Sequence, residues 1–236
     1  MSIEAAASFS LSQSDNPSSC IYEFGVYNGA SLRKIKSIWS TSARPLSGVY
    51  GFDSFEGCPL EKKDQVSAQI WKEKFLDVRE EWNNESSENV AQALKEEIKN
   101  EDFPLEFIIG FYEDSLTDEL IESHKMGIAA LVNLDCDQYT STLQALDFLF
   151  RNHLIAQNTV IRYDDWNCGL IYNNDINFIP RKKLPLSCFE EYKSGQSRAH
   201  WEVFQRYNAT ASRIFHDPPL QARKGAAVFL VTSIDE

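Results

Sequence analysis

One segment runs Tyr22-Glu23-Phe24-Gly25-Val26-Tyr27-Asn28-Gly29-Ala30-Ser31, and it joins an apolar strand end, a glycine-bearing turn and the start of a helix. The helix is predicted because apolar residues follow at helical spacing, at Leu32, Ile35, Ile38 and Trp39. Glycines in such a turn let the backbone approach a ligand closely, and the helix N-terminus offers free N–H donors to a carboxylate or a phosphate. The segment therefore predicts a strand, a turn and a helix at a ligand site.

A second strand end follows about one βαβ unit later, in Val49-Tyr50-Gly51-Phe52-Asp53-Ser54-Phe55-Glu56-Gly57. The strand ends on Asp53, where a carboxylate can accept hydrogen bonds from both hydroxyls of a ribose. The two strand ends together predict a ligand of nucleotide type.

S-adenosylmethionine fits this pair of segments better than NAD does. A dinucleotide fingerprint requires G-x-G-x-x-G, whereas only Gly25 and Gly29 occur here, with bulky residues between them. Glu23 would repel a pyrophosphate but suits a cationic ligand, and S-adenosylmethionine has a ribose, a sulfonium, an ammonium and no phosphate. The alternative is an ordinary αβα turn in which Gly25 serves only packing.

Length and charge indicate one enzyme-sized α/β domain that does not bind nucleic acid. The chain has 236 residues, of which 43% are apolar, enough for a substantial core. Its 23 basic and 35 acidic residues give a net charge of −12. A protein that binds the phosphate backbone of nucleic acid should instead show a basic stripe.

The cysteines and the hydropathy pattern predict a cytoplasmic protein with no membrane partner. The five cysteines are scattered without a C-x-x-C pair, as expected of reduced thiols rather than a zinc site. No run approaches the length of a membrane span, and the N-terminus lacks a basic region followed by an apolar core.

Strands and helices are predicted to alternate, which implies a mostly parallel sheet covered on both faces. Strands are expected near residues 20–25, 48–53, 105–110, 127–135 and 157–163. Residues 64–101 predict a long polar helical stretch, broken at 83–87, whose charge is most simply a solvated face. Residues 212–215 and 226–232 predict a C-terminal antiparallel hairpin.

Four acids follow the ends of the fourth and fifth predicted strands: Asp135 and Asp137, then Asp164 and Asp165. Neighbouring parallel strands would bring them to one rim, where their repulsion makes a cation the natural complement. Oxygen-only ligands favour Mg²⁺. The alternative for these acids is helix capping, since Asp137 precedes a predicted helix.

The third strand ends in Gly110-Phe111-Tyr112-Glu113-Asp114-Ser115, which is a weaker candidate for the adenine site. Glu113 and Asp114 could flank the adenine, with Phe111 or Tyr112 stacking on it. A helix cap by Asp114 or Ser115 is the alternative.

These segments together resemble the macrocin O-methyltransferase (TylF-type) family of class I methyltransferases. The resemblance covers roughly residues 20–232, in the order of the segments at 23–31, 51–59, 110–116, 134–142 and 164–166, and more loosely at 195–204. It implies a three-layer Rossmann-like fold in one domain, residues 20–236, with a mostly parallel sheet closed by the C-terminal hairpin. Residues 1–19 are expected to be a flexible or partly helical lead-in.

The resemblance also implies roles for individual residues. Asp135, Asp164 and Asp165 would hold the metal, and Asp137 would take the proton of the acceptor hydroxyl. The cofactor would contact residues of the first four segments: Glu23, Gly25, Tyr27, Asn28, Gly29, Ser31, Asp53, Ser54, Phe55, Phe111, Tyr112, Asp114 and Asp135.

Residues 166–200 are expected to form the acceptor side of the site. The basic triplet at 181–183 could meet an anionic group of the substrate, although solvated loop charge is the simpler interpretation. His200 lies where family members shape the acceptor pocket, although a surface histidine is the simpler interpretation. Members of the family also carry a helical segment before the first strand that helps to cover the site, and this chain has only about 19 residues there. Whether the site is more open, is covered by a second subunit of a homo-oligomer or is completed by a larger assembly stays undecided.

Three functions remain to be distinguished. The first is a Mg²⁺-assisted, S-adenosylmethionine-dependent O-methyltransferase acting on a small-molecule hydroxyl, such as that of a natural-product sugar. The second is a metal-independent methyltransferase acting on nitrogen or a carboxylate. The third is a cofactor-binding interaction protein without turnover.

Overall fold

The centre of the protein is a seven-stranded sheet with the strand order β3-β2-β1-β4-β5-β7-β6. The computed structural model describes residues 1–13, 20–83, 85–166, 192–216 and 225–235. The strands are β1 (Cys20–Phe24), β2 (Gly48–Asp53), β3 (Leu105–Ile109), β4 (Ala129–Leu134), β5 (Val160–Tyr163), β6 (Ala209–His216) and β7 (Ala227–Ile234). The helices are α1 (Ile3–Ser12), α2 (Ala30–Trp39), α3 (Gln65–Ile70), α4 (Ser87–Ile98), α5 (Tyr112–Ser115), α6 (Glu119–Ser123), α7 (Tyr139–Arg151) and α8 (Gly195–Arg206), with a 3-10 turn at Val78–Trp82.

The sheet confirms the predicted mostly parallel architecture and its C-terminal hairpin. Strands β1 to β5 pair in parallel, whereas β7 runs antiparallel to both β5 and β6. The chain reverses its lateral direction after β3, because β4 pairs with β1 on the side away from β2. Ligands of open α/β sheets bind at such a reversal, beyond the carboxyl ends of the strands.

Alternating strand side chains divide the core into two apolar layers. Tyr22 and Phe24 of β1 lie in the layer that contains Leu149 of α7 and Phe204 of α8. Ile21 faces the opposite layer, with residues of α1, α2 and α4. This period of two is what a sheet buried on both faces requires, and it confirms the three-layer prediction.

The N-terminal lead-in, expected to be flexible or partly helical, contains the helix α1 over residues 3–12. Its buried residues Ile3, Ala6, Ala7 and Ser10 share one helical face. That face packs against α2 and the sheet, and the Ser10 hydroxyl donates a 2.8 Å hydrogen bond to the Ala130 carbonyl. Ser2 caps the helix by accepting a hydrogen bond from the Ala5 amide.

The predicted helical stretch at 64–101 is shorter and more broken than expected. Only α3, the 3-10 turn and α4 are helical within it. Lys74 and Leu76 both have a φ of 63°, which no α-helix accommodates. The predicted break near residue 84 is present: Asn83 ends the 3-10 turn with a positive φ, and Ser86 caps α4.

Two further sequence predictions concern membranes and cysteines. No helix in the described part of the chain is both long and apolar enough to cross a membrane. Cys20, Cys58 and Cys136 are free thiols. Cys168 and Cys188 lie outside the described residues.

Candidate active site

A cavity of about 550 Å³ opens at the carboxyl edge of the sheet. Its wall includes the glycine turn after β1, the residues that follow β2, β3 and β4, and the start of α7. The predicted site residues that line it are Gly25, Tyr27, Asp53, Ser54, Phe111, Tyr112, Asp135 and Asp137. The structure thus brings segments that are more than a hundred residues apart in the chain to one cavity of ligand size.

Gly25 is required by the close approach of two strand ends. Its φ is 87°, and a Cβ at this position would lie 2.1 Å from the Asp135 carbonyl oxygen. The Gly25 amide also donates a 2.9 Å hydrogen bond to the Phe52 carbonyl. Any side chain here would therefore push the turn away from the end of β4.

Asp53 organises the turn around Gly25 with both of its carboxylate oxygens. Oδ2 accepts hydrogen bonds from the amides of Val26 at 2.7 Å and Tyr27 at 2.8 Å, and Oδ1 accepts one from Phe55 at 2.7 Å. Burial raises the pKa of the Asp53 carboxyl, and these amide donors oppose that shift. Asp53 lines the cavity, but its first role in the structure is to fix the backbone on which a cofactor would rest.

Glu23 lies beneath the turn and does not line the cavity. Its side chain is fully buried, and Oε1 accepts a hydrogen bond from the Ser31 hydroxyl of α2. Oε2 has no hydrogen-bond partner among the described residues. Burial raises the pKa of Glu23 to about 8, against the opposing effects of Ser31 and Arg162. Glu23 and Ser31 thus join β1 to the start of α2.

Three of the four rim acids converge at the ends of β4 and β5. One carboxylate oxygen each of Asp135, Asp137 and Asp165 lies within 4.8 Å of the others. Burial raises the pKa of Asp137 well above its ordinary value, and the neighbouring Asp165 raises it further. The donor set fits a hard divalent cation such as Mg²⁺, which prefers carboxylate oxygens and would offset the repulsion among them.

Asp164 does not join this cluster. It forms a buried ion pair with Arg162, whose Nη1 donates a 2.7 Å hydrogen bond to Oδ1 of Asn133. The Asp164 amide continues the strand pairing by donating to the Leu134 carbonyl at 3.0 Å. Because the strand geometry persists past Tyr163, residues 162 and 164 point to one face and Asp165 to the other.

Gln196 of α8 fixes the position of the two strand ends that carry the cluster. Its side chain accepts a 2.9 Å hydrogen bond from the Asp165 amide and donates one of 3.2 Å to the Leu134 carbonyl. Gln196 is fully buried. The sequence motif at 195–199 predicted this region only loosely, and its contact is with the backbone of the acidic rim.

The capping alternative for Asp137 is excluded by the geometry of α7. The cap position belongs to Gln138, and Asp137 has a left-handed φ of 61° that turns the chain before the helix. Oδ2 of Asp137 lies 4.0 Å from the Sγ of Cys58, which belongs to the segment after β2.

Of the residues expected to surround the adenine, three line the cavity and one does not. Phe111, Tyr112 and Glu113 line it, whereas Asp114 is exposed outside the lining. The short α5 begins after Phe111 without a side-chain cap, so neither Asp114 nor Ser115 serves as its N-cap. The hydroxyl of Tyr112 donates a 3.2 Å hydrogen bond to the Phe52 carbonyl.

Four other predicted cofactor residues serve the local structure. Asn28 accepts a 3.3 Å hydrogen bond from the Ala30 amide, and Gly29 begins α2 with a φ of 74°. Phe55 is a core residue whose ring packs edge-on against Phe107. Ser31 donates its hydroxyl hydrogen bond to Glu23. None of these four residues lies in the cavity wall.

His200 is a buried residue, which corrects the expectation of a surface histidine. Nδ1 lies 2.7 Å from the Tyr163 hydroxyl, and the ring contacts Trp166, Phe204 and Phe229. Burial lowers the pKa of His200 to about 3, so the imidazole is neutral. Most of the predicted acceptor side lies outside the described residues, which include only Trp166 and 192–200 of that segment.

Sequence reasoning missed the segment from Cys58 to Leu76, which forms one wall of the cavity. Glu61 anchors it to α7 by accepting a 2.9 Å hydrogen bond from the Thr140 amide and a second from its hydroxyl. Asp64 anchors it to α8 by accepting a 2.7 Å hydrogen bond from the Gly195 amide. Gln138 donates to the Pro59 carbonyl at 2.9 Å. The sequence predicted a solvated helical stretch from residue 64 onward and no site role for this segment; the Gly57-x-Pro59 motif at its start was a signal that could have indicated one.

Comparisons with known proteins show a family match in sequence. The family model described as macrocin-O-methyltransferase (TylF) matches residues 8–171. Among curated proteins, none matches the chain.

Several solved structures are similar in fold. The O-methyltransferase NovP is 18% identical with a TM-score of 0.60, over 98% of this chain and 78% of that one. Apo CalS11, a TDP-rhamnose 3'-O-methyltransferase of calicheamicin biosynthesis, is 15% identical with a TM-score of 0.53, over 97% and 77% of the two chains. An O-methyltransferase from Bacillus cereus in complex with SAH is 14% identical with a TM-score of 0.50, over 99% and 82%. At these identities the likeness is one of fold.

Proposed function

The chain belongs to the macrocin-O-methyltransferase (TylF) family, and on this premise we propose that it is a Mg²⁺-assisted, S-adenosylmethionine-dependent O-methyltransferase. Its acceptor would be a hydroxyl of a small molecule, such as a sugar of a natural product. The observation that carries the proposal is the convergence of Asp135, Asp137 and Asp165, because the first two of these acids line the same cavity as the Gly25 turn.

The cofactor would rest on the turn after β1. Gly25 exposes bare backbone to the cavity, and Asp53 holds the amides of Val26 and Tyr27 in place behind it. Ser54 lines the cavity beside this turn, as do the aromatic residues after β3. When bound, S-adenosylmethionine would supply a sulfonium methyl group to the acceptor oxygen.

The acidic cluster would prepare the acceptor. Asp135 and Asp165 are assigned to the metal, and Asp137 is assigned to hold the proton that the acceptor hydroxyl loses. When bound, Mg²⁺ would lower the pKa of a coordinated hydroxyl and offset the repulsion among the three carboxylates. Gln196 holds the backbone of Asp165 beside the end of β4 through two hydrogen bonds. The acceptor oxygen would therefore approach carboxylates whose positions are fixed.

Two features support the acceptor class. Thr140, Ser141 and Gln144 of α7 line the cavity with hydrogen-bonding side chains suited to a polyhydroxylated molecule. CalS11, which has a similar fold, is described as acting on TDP-rhamnose. The free thiols among the described cysteines suit the cytoplasm, which we propose as the location.

Calorimetric titration with SAH tests the cofactor. We expect saturable binding to one site per chain in the wild-type protein, and loss of that binding in Asp53→Ala, which releases the backbone amides of the turn. Circular dichroism of the variant distinguishes this loss from unfolding. A folded wild-type protein that does not bind SAH would remove the transferase proposal and favour an interaction protein.

Binding of Mn²⁺, followed by electron paramagnetic resonance in the presence of SAH, tests the metal. Asp165→Asn removes a cluster carboxylate and should weaken binding by about tenfold or more. Asp164→Asn is the matched control, because Asp164 pairs with Arg162 instead, and it should change Mn²⁺ affinity little. Equal losses in both variants would restore Asp164 as a ligand, and absence of Mn²⁺ binding in the wild type would favour the metal-independent transferase.

A further inference from the structure

Three lysines of the Cys58–Leu76 segment line the same cavity as the acidic cluster. Lys62, Lys63 and Lys74 all belong to the cavity wall, and all three are exposed. None of them forms an ion pair within 4 Å in the part of the chain that the structure describes. These lysines are the cations of the described cavity wall, which also contains the acids Asp53, Glu56, Glu73, Glu113, Asp135 and Asp137.

The backbone holds the two ends of this segment together. The Cys58 amide donates a 2.8 Å hydrogen bond to the Phe75 carbonyl, and the Lys74 amide donates one of 2.8 Å to the Cys58 carbonyl. Lys74 and Leu76 both adopt a positive φ of 63° where the chain turns back at this pairing. The lysines thus lie on a loop whose two ends are joined by backbone hydrogen bonds. Lys62 and Lys63 lie within the loop, and Lys74 lies where its ends meet.

Acidic neighbours within the segment are engaged elsewhere. Glu61 and Asp64 flank the lysine pair in sequence, but both are buried and accept hydrogen bonds from the starts of α7 and α8. Glu56 of the cavity wall pairs with Arg79 at 3.3 Å. The exposed acids of the wall are Glu73 and Glu113, so the three exposed lysines outnumber the exposed acids.

The number and type of these cations suit an anion with several oxygens. The cations of the described cavity wall are all lysines. Lysines act as point charges that suit phosphate oxygens. A diphosphate carries enough negative charge to meet several of them at once.

We propose that the acceptor carries a phosphate or diphosphate group, which Lys62, Lys63 and Lys74 bind while its hydroxyl lies at the acidic cluster. This inference rests on the proposed function, because it identifies the class of molecule that would be methylated at that site. Leu60 and Leu76, both partly exposed in the same wall, would contact the apolar part of such an acceptor.

Inorganic pyrophosphate, titrated calorimetrically into the SAH-loaded protein, tests the inference. EDTA in the buffer removes divalent cations that would bind pyrophosphate themselves, and SAH would fill the part of the cavity beside the Gly25 turn, so that pyrophosphate cannot bind there. The test variant is Lys62→Gln/Lys63→Gln/Lys74→Gln. The control is Lys72→Gln/Lys99→Gln/Lys125→Gln, which removes the same charge from exposed positions outside the cavity wall.

We expect the wild-type protein and the control to bind pyrophosphate with similar affinity. The test variant should bind it with an affinity at least about tenfold lower. Affinity in the wild type should also fall as salt rises. Binding that is equal in all three proteins, equally reduced in both variants or absent from the wild type would overturn the inference.

SAH titration of each protein separates the two proposals. If SAH binds and pyrophosphate does not, the acceptor inference fails while the proposed function stands. If SAH does not bind to the wild type, the proposed function itself has failed. Should the triple variant not fold, Lys74→Gln compared with its neighbour Lys72→Gln gives the same test with a single charge, because only Lys74 lines the cavity.

Discussion

Neighbouring acids in this protein have different roles because the backbone directs them to different surroundings. Asp164 is buried against Arg162, whereas Asp165 faces Asp135 and Asp137. Asp53 accepts hydrogen bonds from backbone amides, and Glu23 is sealed under the turn. The residue type therefore limits the roles that a side chain can have. Its burial and its hydrogen-bond or charge partners decide which of these roles it has.

Glu23 should make the folded state less stable as pH rises. Its pKa is about 8 in the folded protein and near 4.5 in the unfolded chain, so the folded state retains a proton that the unfolded chain loses between these values. Glu23→Gln does not titrate and keeps an amide oxygen for Ser31. Relative to the wild type, we expect its free energy of unfolding to rise by up to about 3 kcal/mol from pH 5 to pH 8.

Urea unfolding of both proteins at the two pH values measures this change. The exposed Glu122 of α6 gives the matched control, since Glu122→Gln should differ from the wild type by a similar amount at both pH values. A difference for Glu23→Gln that stays constant with pH would show that Glu23 ionises normally in the folded protein.

At the scale of elements, the Cys58–Leu76 segment forms one wall of the cavity. It has one short helix of its own and is held in place by its contacts with the starts of α7 and α8. The helix α1 is similarly dependent on tertiary contacts, because a helix of 10 residues is marginal in isolation.

The anchor at Glu61 should contribute measurably to stability. Its carboxylate satisfies the amide of Thr140 in the first turn of α7, where no intrahelical partner exists, and it also binds the Thr140 hydroxyl. Glu61→Ala should lower the free energy of unfolding by about 1–2 kcal/mol.

Glu73→Ala is the control for this change, because Glu73 lies in the same segment and is exposed. It should alter stability by no more than about 0.5 kcal/mol. Denaturant unfolding gives both values. Equal effects in the two variants would mean that the Glu61 contacts add nothing beyond the removal of an acidic side chain.

At the scale of the whole molecule, one sheet joins residues from Cys20 to Ile234. The cavity takes its walls from the segments that follow β1, β2, β3 and β4 and from the start of α7. Because these strands belong to one hydrogen-bonded sheet, we expect a ligand in the cavity to stabilise the sheet as a unit.

SAH should shift the whole unfolding transition. A ligand that binds only the folded state at a concentration of 100 times its Kd adds about 2.7 kcal/mol to the free energy of unfolding. We expect fluorescence and far-ultraviolet circular dichroism to report the same shifted midpoint. Two separated transitions, only one of which responds to SAH, would show that the cavity belongs to an independently unfolding part.

Much of the architecture was predictable from local pattern. Three features follow short-range rules of strand, turn and helix: the apolar run from Ile21 to Phe24, the glycine turn, and the acids after β4 and β5. The strand positions, the hairpin and the edge of the sheet where the site lies agree with those predictions.

Tertiary structure alone decided three features of the site. Asp164 is excluded from the acidic cluster, His200 is buried, and the Cys58–Leu76 segment forms one wall of the cavity. The sequence determined which elements form and that acids gather at one rim, because periodicity and strand ends are local properties. Only the fold decided which acids face one another and which lysines join them, because side-chain direction depends on the backbone beyond each strand and on partners distant in the chain.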